Sequence, residues 1–186
     1  GYKSLHKTRE TYFKGVEKQT SGTWLSIDSN GNEKTERYWQ PDMQSRDDGM
    51  GFDDAVLNVR DLLVNSVGLR LRSDVPIAFC MSGGIDSNAM IGIAVKHFGQ
   101  QVHGYTISHT DERYEESDMV TLSVNALGVE HSTVGIPRDN FLGRLDRLVD
   151  FHDQPLCSNG YFAHDLLVEK IHKDGFKVVI SGNGAD

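Results

Sequence analysis

An α/β fold, a parallel sheet with helices on both faces and a β-hairpin ahead of it, is what this 186-residue sequence predicts. Strand-length apolar runs alternate with stretches of helical period from Phe52 onward, the arrangement that yields a parallel sheet wrapped by helices. The run Val75–Met81 is apolar almost throughout, as a strand covered on both faces must be. Two of the predicted strands also run straight into Ser-Gly-rich turns, and in such sheets ligands collect at the carboxyl ends of the strands.

The elements follow in order. Thr23–Ile27 alternates, Asp28–Asn32 supplies turn residues, and Thr35–Trp39 returns as the partner strand of a hairpin. A lone hairpin is marginal in water, so this one needs something to pack against. Residues 1–42 are therefore read as hairpin and linker, and 43–186 as the main α/β domain, with the polar, acidic stretch Met43–Gly51 leading into it. Val56, Leu57, Leu63, Val67 and Leu71 fall near helical spacing behind Asp53 and Asp54, which suit a positive helix N-terminus. After the strand Val75–Met81 come a helix over Ser87–Phe98, a strand over Val102–Ile107, a helix over Glu115–Leu127 and a short strand over His131–Val134. Helices over Arg138–Phe151 and Tyr161–His172 precede the last strand, Phe176–Ile180.

Composition narrows the function classes. A formal charge of −8, from 27 acidic against 19 basic residues, argues against a nucleic-acid surface, which needs clustered Lys and Arg. Cys80 and Cys157 lie far apart with no second pair, so neither a disulfide framework nor a cysteine zinc site has its spacing, and the eight histidines show no paired ligand pattern. No apolar run is long enough to span a membrane and the basic, polar start is no signal peptide, so a cytoplasmic protein is expected. A start at Gly1 and an end at Asp186 inside an unfinished motif are read as a piece of a longer polypeptide.

The chemistry is expected in the two turns, Ser82-Gly83-Gly84-Ile85-Asp86-Ser87 and Ser181-Gly182-Asn183-Gly184-Ala185-Asp186. Glycines let the backbone turn tightly and present successive N–H groups, hydroxyls add donors, and the following helix adds its positive end, a combination that cradles phosphate oxygens without a basic patch. Asp86 and Asp186 end their turns, and two carboxylates facing bound phosphates suit a hydrated magnesium ion.

Ser-Gly-Gly-x-Asp-Ser between strand and helix resembles the signature of the PP-loop ATP pyrophosphatases, whose Rossmann-like fold is the one predicted here, and it lacks the ending of a Walker A loop. The second turn resembles the Ser-Gly-Glu-Gly-Ala-Asp element of asparagine synthetases. Agreement continues in Glu115-Glu116-Ser117 through His131, in Asp153-Gln154-Pro155, and in Tyr38-Trp39-Gln40-Pro41, which resembles the tail joining that family's glutaminase and synthetase domains.

The resemblance implies an ATP-dependent ligase that adenylates a carboxylate, usually aspartate, with loss of magnesium pyrophosphate before ammonia or another amine displaces AMP. Carried over by position, Ser82, Gly83, Gly84, Asp86 and Ser87 would hold the pyrophosphate end of ATP, and Asp86 and Asp186 the Mg2+. Cys80 and Ile107 would touch adenosine, and Ser181 and Gly182 would lie near nucleotide and acyl group. Asn183 stands where the family carries glutamate, and an amide cannot take a proton from an amine. The family's amino-terminal nucleophilic cysteine has no counterpart, so no glutaminase activity is expected of this chain, and turnover is not expected of it alone. A homodimer and a small-molecule carboxylate are the expected partners, with no nucleic acid and no membrane. The alternatives are an acceptor that is a sugar, a peptide or a β-lactam precursor, another PP-loop branch such as NAD synthetase or tRNA thiolation, and an ATP-binding module without catalysis.

Overall fold

The computed structural model describes residues 9–42, 49–108, 117–137, 139–156 and 158–183. The chain divides into two compact units, Gly1–Met50 and Gly51–Asp186. No described helix is long and apolar enough to cross a membrane.

The first unit carries the hairpin, with β1 over Thr23–Ile27 and β2 over Glu33–Arg37 in antiparallel register, Ile27 opposite Glu33 and Thr23 opposite Arg37. The returning strand starts two residues earlier than the sequence pattern suggests, because Asp28 closes the turn by itself. Its carboxylate accepts the Asn30 and Asn32 amides at 2.9 and 2.8 Å and the Asn32 side-chain amide at 2.7 Å. Those donors hold the Asp28 carboxyl below its ordinary range. Pairing therefore resumes at Glu33. At the other end, the amides of Tyr38 and Trp39 both reach the carbonyl of Gly22, whose φ of 70° turns the chain out of the ladder.

The second unit runs α1 (Phe52–Arg70), β3 (Ile77–Cys80), α2 (Ile85–Lys96), β4 (His103–Ser108), α3 (Ser117–Leu127), β5 (Glu130–Gly135), α4 (Phe141–His152), α5 (Gly160–Lys173) and β6 (Val178–Ile180). Its four strands form one parallel sheet in the order β5-β4-β3-β6. The expected α/β alternation is present, and the element ends move for local reasons. β3 begins at Ile77 rather than Val75, because Pro76 has no N–H for a ladder and the Val75 amide turns to the Ser73 hydroxyl at 3.2 Å. β6 begins at Val178, since the Phe176 amide is used to close α5 on the Ile171 carbonyl at 3.2 Å. The predicted helix starts at Glu115 and Arg138 fall outside the described residues.

Alternation along the strands sends side chains to two cores. Phe79, Met81 and Val102 pack with Ile91 and Ala94 of α2 and Val120 of α3 on one face. Ala78 and Tyr105 pack with Leu167 and Ile171 of α5 on the other. Leu148 of α4 meets Phe162 and Leu166 of α5 in a third, outer cluster. Helices thus cover both faces. α1 contributes chiefly by its carboxyl-terminal end, where Val67 is buried and Gly68 lies so close to the Phe98 ring that a Cβ would come within 2.6 Å of it. Its earlier turns leave Phe52, Val59 and Leu62 exposed, so the helical period there reflects a face that this unit does not cover.

Candidate functional site

The sheet order places a switch point between β3 and β6. From β3 the chain moves outward through β4 to β5, then returns to the opposite side of β3 as β6. Crossover connections leave these two neighbours on opposite sides, which opens a crevice at their carboxyl ends. Both Ser-Gly turns leave the sheet there, one after Cys80 and one after Ile180.

The first turn is braced from within. Ser87 is buried, and its hydroxyl lies 2.9 Å from the Ser82 hydroxyl, accepts the Ser82 amide at 3.2 Å, and has the Ser82 and Gly84 carbonyls at 3.3 and 3.2 Å as acceptors for its proton. The Ser82 hydroxyl also accepts the Gly84 amide at 3.2 Å. α2 starts at Ile85, two residues before its expected start, so Asp86 and Ser87 belong to its first turn. Gly84 is its N-cap and no side chain caps the helix. First-turn amides have no intrahelical partner, so the positive end of α2 faces the crevice.

Gly182 shows how closely the second turn approaches. A Cβ there would lie 3.1 Å from the Ser87 amide nitrogen and 3.4 Å from Asp86 Cβ. A side chain there would fit only if the β6 turn or the start of α2 gave way by a few tenths of an ångström. The Asn183 amide turns back to the Ser181 hydroxyl at 3.4 Å, and Asn183 lines a cavity of about 520 Å³ that also touches the end of α4 and the start of α5.

Ser82, Gly84, Asp86, Ser87, Ser181, Gly182 and Asn183 are thus gathered around one crevice, with Gly83 in the same turn. Cys80 and Ile107 lie near the carboxyl ends of β3 and β4, half-buried against the Ala78 and Tyr105 cluster on the α5 face of the sheet. Burial pushes the Cys80 thiol up, so it remains protonated. Asp186 falls outside the described residues, and so does Cys157. The exposed carboxylate of Asp86, on the first turn beside the phosphate-type cradle, fits one ligand of a hydrated divalent cation.

Three supporting residues escape a reading by motif. The Asn88 side-chain amide donates to the Ser82 carbonyl at 2.9 Å and the Gly84 carbonyl at 2.7 Å, tying both ends of the first turn to α2. Its position just after the signature is the only sequence hint. Thr106 on β4 donates its hydroxyl to the Met81 carbonyl at 2.8 Å, and His131 on β5 lies 2.9 Å from the same hydroxyl oxygen. Burial, with the neighbouring His103 charge second, lowers the His131 pKa, so the ring is neutral and its Nε2–H donates to Thr106. This relay holds the strand-to-turn junction from two strands away, and no spacing along the chain could announce it.

The asparagine synthase family matches residues 58–186. Among curated relatives, the amidase chyE of Penicillium rubens is 30% identical over 193 residues, covering 95% of this chain and 29% of that protein. Asparagine synthetase [glutamine-hydrolyzing] 1 of Bacillus subtilis is 29% identical over 174 residues, covering 92% and 26%. The chain therefore spans less than a third of the length of these relatives. Among solved structures, the NH3-dependent NAD synthetase of Campylobacter jejuni aligns with a TM-score of 0.41 at 16% identity, covering 67% of this chain and 54% of that one. NMN synthetase of Francisella tularensis aligns with a TM-score of 0.43 at 20% identity, covering 63% and 50%.

Proposed function

The chain belongs to the asparagine synthase family, and from that membership we propose that it forms the ATP-binding part of an ATP-dependent amide-forming ligase. The carboxylate of the substrate is adenylated, pyrophosphate leaves with magnesium, and ammonia or an amine then takes the acyl group from AMP. The triphosphate lies in the Ser82–Ser87 turn at the open end of α2, adenosine lies against Cys80 and Ile107, and the acyl group lies by Ser181 and Gly182. Asp86 and Asp186 would hold a magnesium ion, which would screen the phosphates and draw charge from the departing pyrophosphate. The protein works in the cytoplasm, and a glutaminase domain of the parent protein supplies ammonia.

The observation that supports this reading is the packing of Gly182 against the first turn of α2, which brings both Ser-Gly turns together at the switch point. The acceptor is proposed to be a small carboxylate, aspartate first. Asn183 in place of glutamate favours a second acceptor reading, in which a divergent substrate such as a sugar, peptide or β-lactam precursor carries the carboxylate or the amine. A module that binds ATP without chemistry is the reading to exclude. Isotope exchange between pyrophosphate and ATP, run on the full-length protein with a panel of carboxylates headed by aspartate, tests all three. Aspartate-dependent exchange supports the ligase with its usual acceptor, exchange with another acid moves the acceptor, and exchange with none leaves the binding module.

A further inference from the structure

Whatever amine attacks the acyl-adenylate must lose a proton, and Asn183 cannot accept one. The cavity that Asn183 lines supplies another candidate. It lies between the carboxyl-terminal end of α4 and the amino-terminal end of α5, and its wall includes His152, Tyr161, His164 and Asp165. Since α5 delivers the chain to β6, the amino-terminal end of α5 lies at the carboxyl edge of the parallel sheet, where both turns open.

His164 is the group on this wall that the fold directs over that edge. It stands three and seven residues before Leu167 and Ile171, the α5 side chains that pack on Ala78 and Tyr105 of the sheet. Residues at this spacing share one helical face. His164 therefore continues the sheet-facing stripe one turn beyond the packed core, toward the carboxyl edge, and it is exposed rather than buried. Asp165, beside it on the wall, is already ion-paired, with Arg144 and with Arg147, the latter at 3.3 Å. The His152 ring packs edge-on against Tyr161 at 5.2 Å and against Phe151 at 5.8 Å.

We propose that His164 is the proton acceptor of the amide-forming step, taking the role that Asn183 cannot fill. The proposal rests on the ligase reading above. The amine nitrogen bonds to the acyl carbon, the bond from that carbon to the AMP oxygen breaks with its electron pair going to AMP, and the surplus amine proton passes to an imidazole nitrogen of His164 and on to solvent.

Two measurements on the full-length protein test this. The first follows the imidazole C2–H resonances while Mg-ATP is added. The His164 line moves, because the nucleotide occupies the edge it overhangs, and an unmoved His164 line in a protein that binds Mg-ATP overturns the proposal. This measurement needs no carboxylate and no variant. The second compares His164→Gln and His152→Gln in pyrophosphate exchange with L-aspartate and in amide formation with ammonium chloride. In His164→Gln, amide formation falls about 100-fold, the scale of general-base catalysis, while exchange falls far less and reports that the variant is folded. Undiminished amide formation in His164→Gln, or a loss confined to His152→Gln, overturns the proposal. A wild-type protein with neither a nucleotide response nor exchange refutes the ligase reading itself, and the base assignment falls with it.

Discussion

Two positions hold the turns in place, one by a close contact and one by hydrogen bonds. Gly182 sits in a tight contact, so Gly182→Ala shifts the second turn or the start of α2 by a few tenths of an ångström. Calorimetry is expected to show ATP affinity falling by at least about tenfold, equivalent to about 1.4 kcal/mol, with the fold intact by circular dichroism. Asn88 offers a different test. Its amide donates to two carbonyls of the first turn, so Asn88→Ala leaves both without that donor and costs about 1–2 kcal/mol in chemical denaturation. Asn88→Asp costs more, because it turns a carboxylate oxygen toward the same carbonyls. The signature Ser-Gly-Gly-x-Asp-Ser could be read directly as a phosphate turn. What it could not disclose is that the Ser87 hydroxyl is spent inside the turn, leaving the backbone and the positive end of α2 to face a ligand.

At the level of the elements, α4 and α5 are joined by Arg144, which pairs with Asp165 and Glu169 of α5. Hydrogen bonds from Lys173, at 2.7 Å, and from Arg144 hold the Glu169 carboxyl down at about 2. A carboxyl lowered from 4.5 to about 2 contributes its stabilisation fully above the upper value and loses it as the pH falls through the lower one. The chain is therefore expected to weaken between about pH 4.5 and 2, and Glu169→Gln, less stable at neutral pH, should show a flatter loss over that window in thermal unfolding. Strand and helix order was legible because hydrophobic period is local. Element ends were less so, since they depend on competitors for single backbone groups, as Asp28 displaces the start of β2 and the closure of α5 consumes the Phe176 amide. The exposed apolar side of α1 shows the same limit, because its helical period announces a buried face without identifying what buries it.

Across the whole second unit, function follows from strand order. A sequence can place two similar turns after two strands, and it did so here, yet only the order β5-β4-β3-β6 makes those strands neighbours and their turns the two sides of one crevice. The His131–Thr106–Met81 relay also comes from that order, which is why it was not visible along the chain. Asn183 was legible as a departure, and its consequence depends on what else the assembled cavity contains. The central claim is that one ATP lies between the two turns. Calorimetric titration of the chain with ATP and magnesium, beside GTP and beside Asp86→Ala, tests it most directly. Binding at one site per chain, selective for ATP and weakened in Asp86→Ala, is the predicted result. Equal affinity for GTP, or ATP binding indifferent to Asp86→Ala, would contradict it.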